Sequence, residues 1–239
     1  MNKGRNNNVV ILHGWKLDSK KYEPLSRKLE KKGYKVFIPD MPGNGIENTP
    51  KRVFCLDDYV IFVRKYLLSM KVQKCVLIGH SFGGRVAIKL TAKYPELVEK
   101  LVLTGVPGIV PVSTSRITIF LILAKIGNLI FSVPGVSLDK DYARRVLYRL
   151  AKSSDYYHTD GVMRQTFKNI IKTDLVESMR KLNVPVQLIW GMDDHIVPVN
   201  IAQKMNIIIE TSRLNVIPDA GHDVIWIKPV EFMHRINNK

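Results

Sequence analysis

The stretch Val76–Leu90, VLIGHSFGGRVAIKL, opens as an apolar run and closes with apolar residues at helical spacing. It reads as a buried strand that turns directly into a helix. Between the two lies GHSFGG, three glycines around one serine. Glycine weakens both strands and helices, so it belongs at such a junction only where the backbone needs freedom or the turn needs space. Both needs are expected here. Gly79 and Gly83 would remove side chains that collide across the turn, and Gly84 would let the helix pack close to the strand.

The same rhythm extends on both sides. VVILHG (Val9–Gly14) is a continuous apolar run, as in a strand covered on both faces. YEPLSRKLEKKGY has helical spacing and stops at Gly33, and YKVFIPD is the next strand. LDDYVIFVRKYLLSM is an amphipathic helix with Asp57 and Asp58 near its start, where the helix dipole favours acids. KCVLIG, GGRVAIKLTAKY and EKLVLTGV continue as strand, helix and strand. Such alternation predicts a mostly parallel sheet with helices on both faces. From Pro107 to Lys181 strands give way to successive helical segments, a block too long for a loop. The alternation resumes with the strand VPVQLIWG, a helix near VNIAQKMNIII, the strand RLNVIPDAGH and one last helix, VIWIKPVEFMHRI. The expected architecture is an α/β core formed by residues 1–106 and 182–239. A helical cap, 107–181, is inserted after the strand around residues 100–106.

Composition narrows the class. A hydrophobic fraction of 46% over 239 residues suits a globular chain with a sizeable core. The net charge of +16 is spread out. Residues 1–106 hold 20 Lys/Arg against 9 Asp/Glu, residues 107–183 hold 12 against 6, and residues 184–239 hold 5 against 6. Most of these charges fall on polar helix faces such as KLEKKGYK. A basic face could still draw an anionic membrane surface or an acidic carrier protein. No zinc-finger, RNA-recognition or helix-turn-helix signature points to nucleic acid. Two cysteines, Cys55 and Cys75, make no disulfide framework and fit a reducing, cytoplasmic setting. The apolar run Val9–Leu12 is too short for a signal-peptide core. Ile117–Val133 is strongly apolar but interrupted by Lys125, Gly127 and Asn128, and falls short of the roughly 20 residues of a membrane span.

Ser81 sits at the centre of G-x-S-x-G. With an apolar strand before it and a helix after it, this is the setting of a nucleophile elbow, in which a tight turn lifts the hydroxyl above the sheet edge in a strained conformation. A phosphate-binding loop fails on pattern, since neither G-x-x-x-x-G-K-[ST] nor G-x-G-x-x-G follows a strand. A serine hydroxyl needs a base, and the base needs an orienting acid. PDAGHDVIW offers His222 after the last strand, and LIWGMDDHIVP offers Asp193 and Asp194 after an earlier one. No cluster has metal-ligand spacing. His13 and His80 flank candidate positions but read as structural, and His195 ranks below His222.

Taken together, HGW (His13–Trp15), DMPGNG (Asp40–Gly45), GHSFGG (Gly79–Gly84), WGMDDHIVP (Trp190–Pro198) and AGH (Ala220–His222) resemble the α/β-hydrolase superfamily, in its capped serine esterase and C–C hydrolase branch. The resemblance implies a catalytic triad of Ser81, His222 and Asp194, the acid being the aspartate three residues after Gly191. It implies an oxyanion hole made by the backbone N–H groups of Trp15 and Phe82, and no metal or cofactor. The sequence departs from the family pattern at Ile46, where a small hydroxyl residue is usual, and carries an extra carboxylate, Asp223, beside His222. The reaction implied is cleavage of a small carboxylic ester through an acyl-enzyme. The cap helix around Ile117–Phe131 would line the pocket and favour an apolar acyl or alkyl group. C–C bond hydrolysis of a β-diketone-like compound needs the same triad, and a non-enzymatic ligand receptor can share the fold.

Overall fold

The computed structural model describes residues 7–43, 49–109 and 161–237. Most of the helical block, including Ile117–Phe131, lies outside the described residues, as does Ile46. The six predicted strands all form: β1 (Asn8–Leu12), β2 (Lys35–Phe37), β3 (Cys75–His80), β4 (Val98–Thr104), β5 (Val186–Gly191) and β6 (Ser212–Ile217). They make one sheet in the order β2-β1-β3-β4-β5-β6, with every pairing among them parallel.

Strand periodicity divides the interior into two cores. Successive side chains point to opposite faces. Val10, Leu12 and Leu77 therefore enter one core, with Val63 of α2 (Leu56–Ser69), Val86 of α3 (Phe82–Lys93) and Ala202 of α6 (Val199–Ile208). Val9, Ile11 and Ile78 enter the other, with Leu25 of α1 (Glu23–Glu30) and Phe232 of α8 (Pro229–Asn237). The four inner strands β1, β3, β4 and β5 are covered on both sides, which is why the sequence shows continuous apolar runs there, whereas the edge strands β2 and β6 are only partly buried.

The order of strands creates the site. From β1 the chain moves outward to β2, then returns to the other side of β1 as β3 and continues in the opposite direction. At such a switch point the loops leaving β1 and β3 diverge and open a crevice at the strand carboxyl ends. Trp15 follows β1, and Ser81 follows β3.

Two helices within the block 107–181 are described, α4 (Gly161–Lys172) and α5 (Val176–Arg180). The ends of the block meet at Arg85 of α3. Arg85 is 2% exposed, and its guanidinium donates to the carbonyls of Pro107, Ile170 and Thr173. Burial lowers its pKa to about 10. One buried cation thus holds both flanks of the block against the helix that follows Ser81.

The last predicted helix needs correction. It is two helices, α7 (Val224–Ile227) and α8, broken at Lys228–Pro229. Lys228 has φ −119° and ψ 55°, and Pro229 brings no N–H to continue the ladder, so the chain turns and restarts.

Candidate active site

β3 pairs with β4 through His80 opposite Thr104, and the Ser81 N–H donates to the Thr104 carbonyl at 2.9 Å. The strand thus runs straight to the serine, which turns with φ 52° and ψ −116°. A residue with a Cβ is strained there by about 1–3 kcal/mol. The three glycines adopt no positive φ. Freedom is therefore demanded of the serine, and the glycines supply only space, which corrects half of the sequence expectation.

The space is also used differently from that expectation. A Cβ on Gly79 would stand 2.5 Å from Gly84 Cα, across the turn as predicted. A Cβ on Gly83 would stand 2.1 Å from the Leu12 carbonyl oxygen, at the end of β1 rather than across its own turn. Gly83 thus lets the start of α3 lie directly on the loop after β1. The Trp15 and Phe82 rings consequently meet edge to face, with centroids 5.2 Å apart. Phe82 is the first residue of α3, so its N–H has no partner one turn back in the helix.

Asp194 and His222 come together. Asp194 is 3% exposed, and its Oδ2 accepts from His222 Nδ1 at 2.8 Å. Its Oδ1 accepts the N–H groups of Ile196 at 2.9 Å and Val197 at 2.8 Å. A carboxylate only accepts, so the proton of a neutral His222 sits on Nδ1 and leaves Nε2 bare. Asp193 and His195 are exposed at the cleft rim. Burial thus selects Asp194 from the adjacent pair. Ser81 and His222 line a single cavity of about 460 Å³, together with Trp15, Leu17, Trp226 and Asp223.

The loop after β4 carries a residue that the sequence reading passed over. Gly105 has φ +58°, and a Cβ there would lie 2.6 Å from His222 Cε1 and 2.7 Å from its Nδ1. The imidazole rests on this glycine. Gly105→Ala should push the ring off Asp194 and lower kcat about 10²-fold, the order of loss for a misplacement near 1 Å. Steady-state kinetics beside a thermal melt would check this, and unchanged turnover would refute it.

His13 and His80 prove to be buried braces. His13 donates from Nδ1 to the Gly14 carbonyl at 2.9 Å and accepts the Met41 N–H on Nε2 at 2.8 Å. Burial lowers the pKa of both rings. Neither has a nitrogen free for proton transfer to a ligand.

Among the described residues no group of three or more His, Cys, Asp or Glu could hold a metal ion, and no helix is long and apolar enough to cross a membrane. Cys75 is buried in β3 and Cys55 is exposed at the start of α2; both are free thiols.

The parallel sheet, its switch point and a serine at a strained strand-to-helix turn define an α/β-hydrolase. The chain belongs to the family described as serine aminopeptidase, S33, whose model matches residues 4–226. It is 27% identical to a pimeloyl-[acyl-carrier protein] methyl ester esterase from Nitrosomonas europaea, over 96% of this chain and 94% of that protein. It is 26% identical to a 2-hydroxy-6-oxononadienedioate/2-hydroxy-6-oxononatrienedioate hydrolase from Cupriavidus pinatubonensis, over 91% of this chain and 81% of that protein. Among solved structures it resembles a bromoperoxidase from Bacillus anthracis, with a TM-score of 0.72 and 20% identity over 98% of this chain and 93% of that one.

Proposed function

We propose that this hydrolase cleaves carboxylic esters through an acyl-enzyme on Ser81. The observation that carries the reading is the alignment of parts. A buried carboxylate holds the Nδ1–H of His222, and that histidine lines one cavity with a serine in a strained turn. His222 Nε2 takes the proton from Ser81 as the hydroxyl attacks the ester carbonyl. Asp194 stabilises the imidazolium that results. The backbone N–H groups of Trp15 and Phe82 bind the oxyanion, each worth about 3–4 kcal/mol in such a site. His222 then protonates the leaving alcohol, and water activated by the same ring releases the acid.

Trp15, Leu17, Ile196 and Trp226 give the cavity apolar walls, which supports an apolar acyl or alkyl group on the substrate. Residues 107–181 are read as the cap over this cavity. A series of p-nitrophenyl esters of rising acyl length tests class and pocket together. Turnover should rise with chain length and fall once the acyl group outgrows the cleft. Absence of turnover across the series, with cleavage of a vinylogous β-diketone instead, would move the assignment to C–C hydrolysis. That reading draws support from the Cupriavidus relative.

A further inference from the structure

Three loops must be held in register for this site to work: the one after β1, the turn after β3 and the one after β6. A single hydrogen-bonded chain joins them. The Gly14 N–H donates to the Tyr22 hydroxyl at 2.8 Å. Tyr22 Oη lies 2.8 Å from His80 Nδ1, and His80 Nε2 lies 3.1 Å from the carbonyl oxygen of His222. Tyr22 is fully buried and His80 is 1% exposed.

The direction of every bond follows from the two ends. The His222 carbonyl can only accept, so His80 Nε2 carries a proton. His80 is enclosed, and burial holds its pKa well below the ordinary value, so the ring is neutral and Nδ1 is bare. The Tyr22 hydroxyl must therefore donate to Nδ1, which leaves its lone pairs to accept from Gly14. A proton on both ring nitrogens would strand the phenolic hydrogen in a fully buried place. The rings packed against His80 are those of His222, with centroids 4.9 Å apart, Trp226 at 5.1 Å and Tyr22 at 5.9 Å, and the carboxylates of Asp193 and Asp223 line the same cavity. Besides burial, positive charge on His222 first, and on His13 last, would oppose protonation of His80.

The far ends of this chain matter. Gly14 lies against the His80 ring, an added Cβ standing 3.0 Å from Nδ1. The carbonyl of Gly14 belongs to the same peptide as the Trp15 N–H. That oxygen is itself held by His13 Nδ1 at 2.9 Å and by the Leu17 N–H at 3.2 Å. The other terminus is the backbone of the residue whose imidazole faces Asp194.

We propose that Tyr22 and His80 are positioning residues that act as one unit, fixing the Trp15 N–H donor and the His222 main chain relative to Ser81. The inference rests on the triad and oxyanion roles assigned above. Loss of the unit should weaken interactions made only in the transition state, so kcat should fall while KM holds.

The test is a double-mutant cycle with Tyr22→Phe and His80→Phe, read with a p-nitrophenyl ester. Each single variant should lose about 10- to 100-fold in kcat at nearly constant KM. The double variant should fall no further than the worse single one, because either change already breaks the chain. Losses that multiply, or that appear in KM, would overturn the unit. A second readout needs no variant to be active. In ¹⁵N-histidine-labelled wild-type protein, the His80 ring should hold its proton on Nε2 and should not titrate between about pH 5 and 8. A proton on Nδ1, or titration in that range, would also overturn it. If the wild-type protein neither hydrolyses esters nor reacts with a fluorophosphonate, the catalytic reading fails by itself, and the nuclear resonance arm still decides the direction of the chain.

Discussion

Ser81→Ala should abolish ester turnover, with kcat falling by about 10⁶-fold when the nucleophile of such a triad is removed. The residual rate should still exceed that in water, because the Trp15 and Phe82 N–H groups and the cavity remain, and such features alone can retain about 10³–10⁴-fold. The variant should stay folded. Alanine keeps the Cβ and so tolerates φ 52° no better and no worse than serine. Ser81→Gly should be equally inactive yet more stable than Ser81→Ala by about 1 kcal/mol or more, because glycine adopts that backbone without a steric cost. Intact-mass measurement after a brief exposure to substrate or fluorophosphonate should show an adduct on the wild-type chain and none on either variant. An alanine variant that still turns over more than a few per cent of the wild-type flux would remove Ser81 from the mechanism. A glycine variant that melts below the alanine one would show that the turn carries no stored strain.

The parts of this site that could be read from sequence are those whose causes are local. The apolar run ending at Gly79, the serine two residues later and the helix beginning at Phe82 are neighbours in the chain, so their pattern is visible. The inner strands β1, β3, β4 and β5 are legible because burial on both faces writes apolar runs, and the partly buried edge strands β2 and β6 follow from the alternation with helices. Asp193 and Asp194 are indistinguishable by type; family resemblance selects the second, and the structure gives the reason, since only Asp194 turns inward to two backbone N–H groups and His222. Gly83 was assigned a local clash, whereas its constraint comes from Leu12, which is remote in sequence. Tyr22 and Gly105 were missed for the same reason. Tyr22 meets His80 across 58 positions, and nothing around SKKYEP marks the contact. Gly105 did leave a trace, a glycine directly after a buried strand, but only the fold reveals that an imidazole lies on it.

Asp194→Asn should lower kcat about 10⁴-fold while leaving the fold intact, the order of loss seen when an orienting acid becomes an amide. The reason lies in how the carboxylate is shared. Oδ1 accepts two backbone N–H groups, from Ile196 and Val197, and Oδ2 accepts one from His222. An asparagine has one accepting and one donating end. Turned with its NH₂ toward Ile196 and Val197, it would face two donors with a third and leave the buried Val197 N–H without a partner, at about 1–3 kcal/mol, besides losing the part-buried Ile196 bond. The side chain should therefore keep its oxygen on the backbone and present NH₂ to His222. Nδ1 must then be bare to accept, which moves the imidazole proton to Nε2, the nitrogen that has to receive the serine proton. Geometry is preserved and the tautomer is inverted. The predicted signature is a loss confined to kcat, a melting temperature within a few degrees of wild type, and a His222 ring whose ¹⁵N shifts report a proton on Nε2 in place of Nδ1. Asp194→Ala separates this from simple loss of an anchor. It should also destabilise the protein measurably, since the buried Val197 N–H and the part-buried Ile196 N–H lose their acceptor. If Asp194→Asn retains kcat within about tenfold of wild type while the tautomer is inverted, proton acceptance at Nε2 is not what limits the reaction, and the assignment of His222 as the base fails with it.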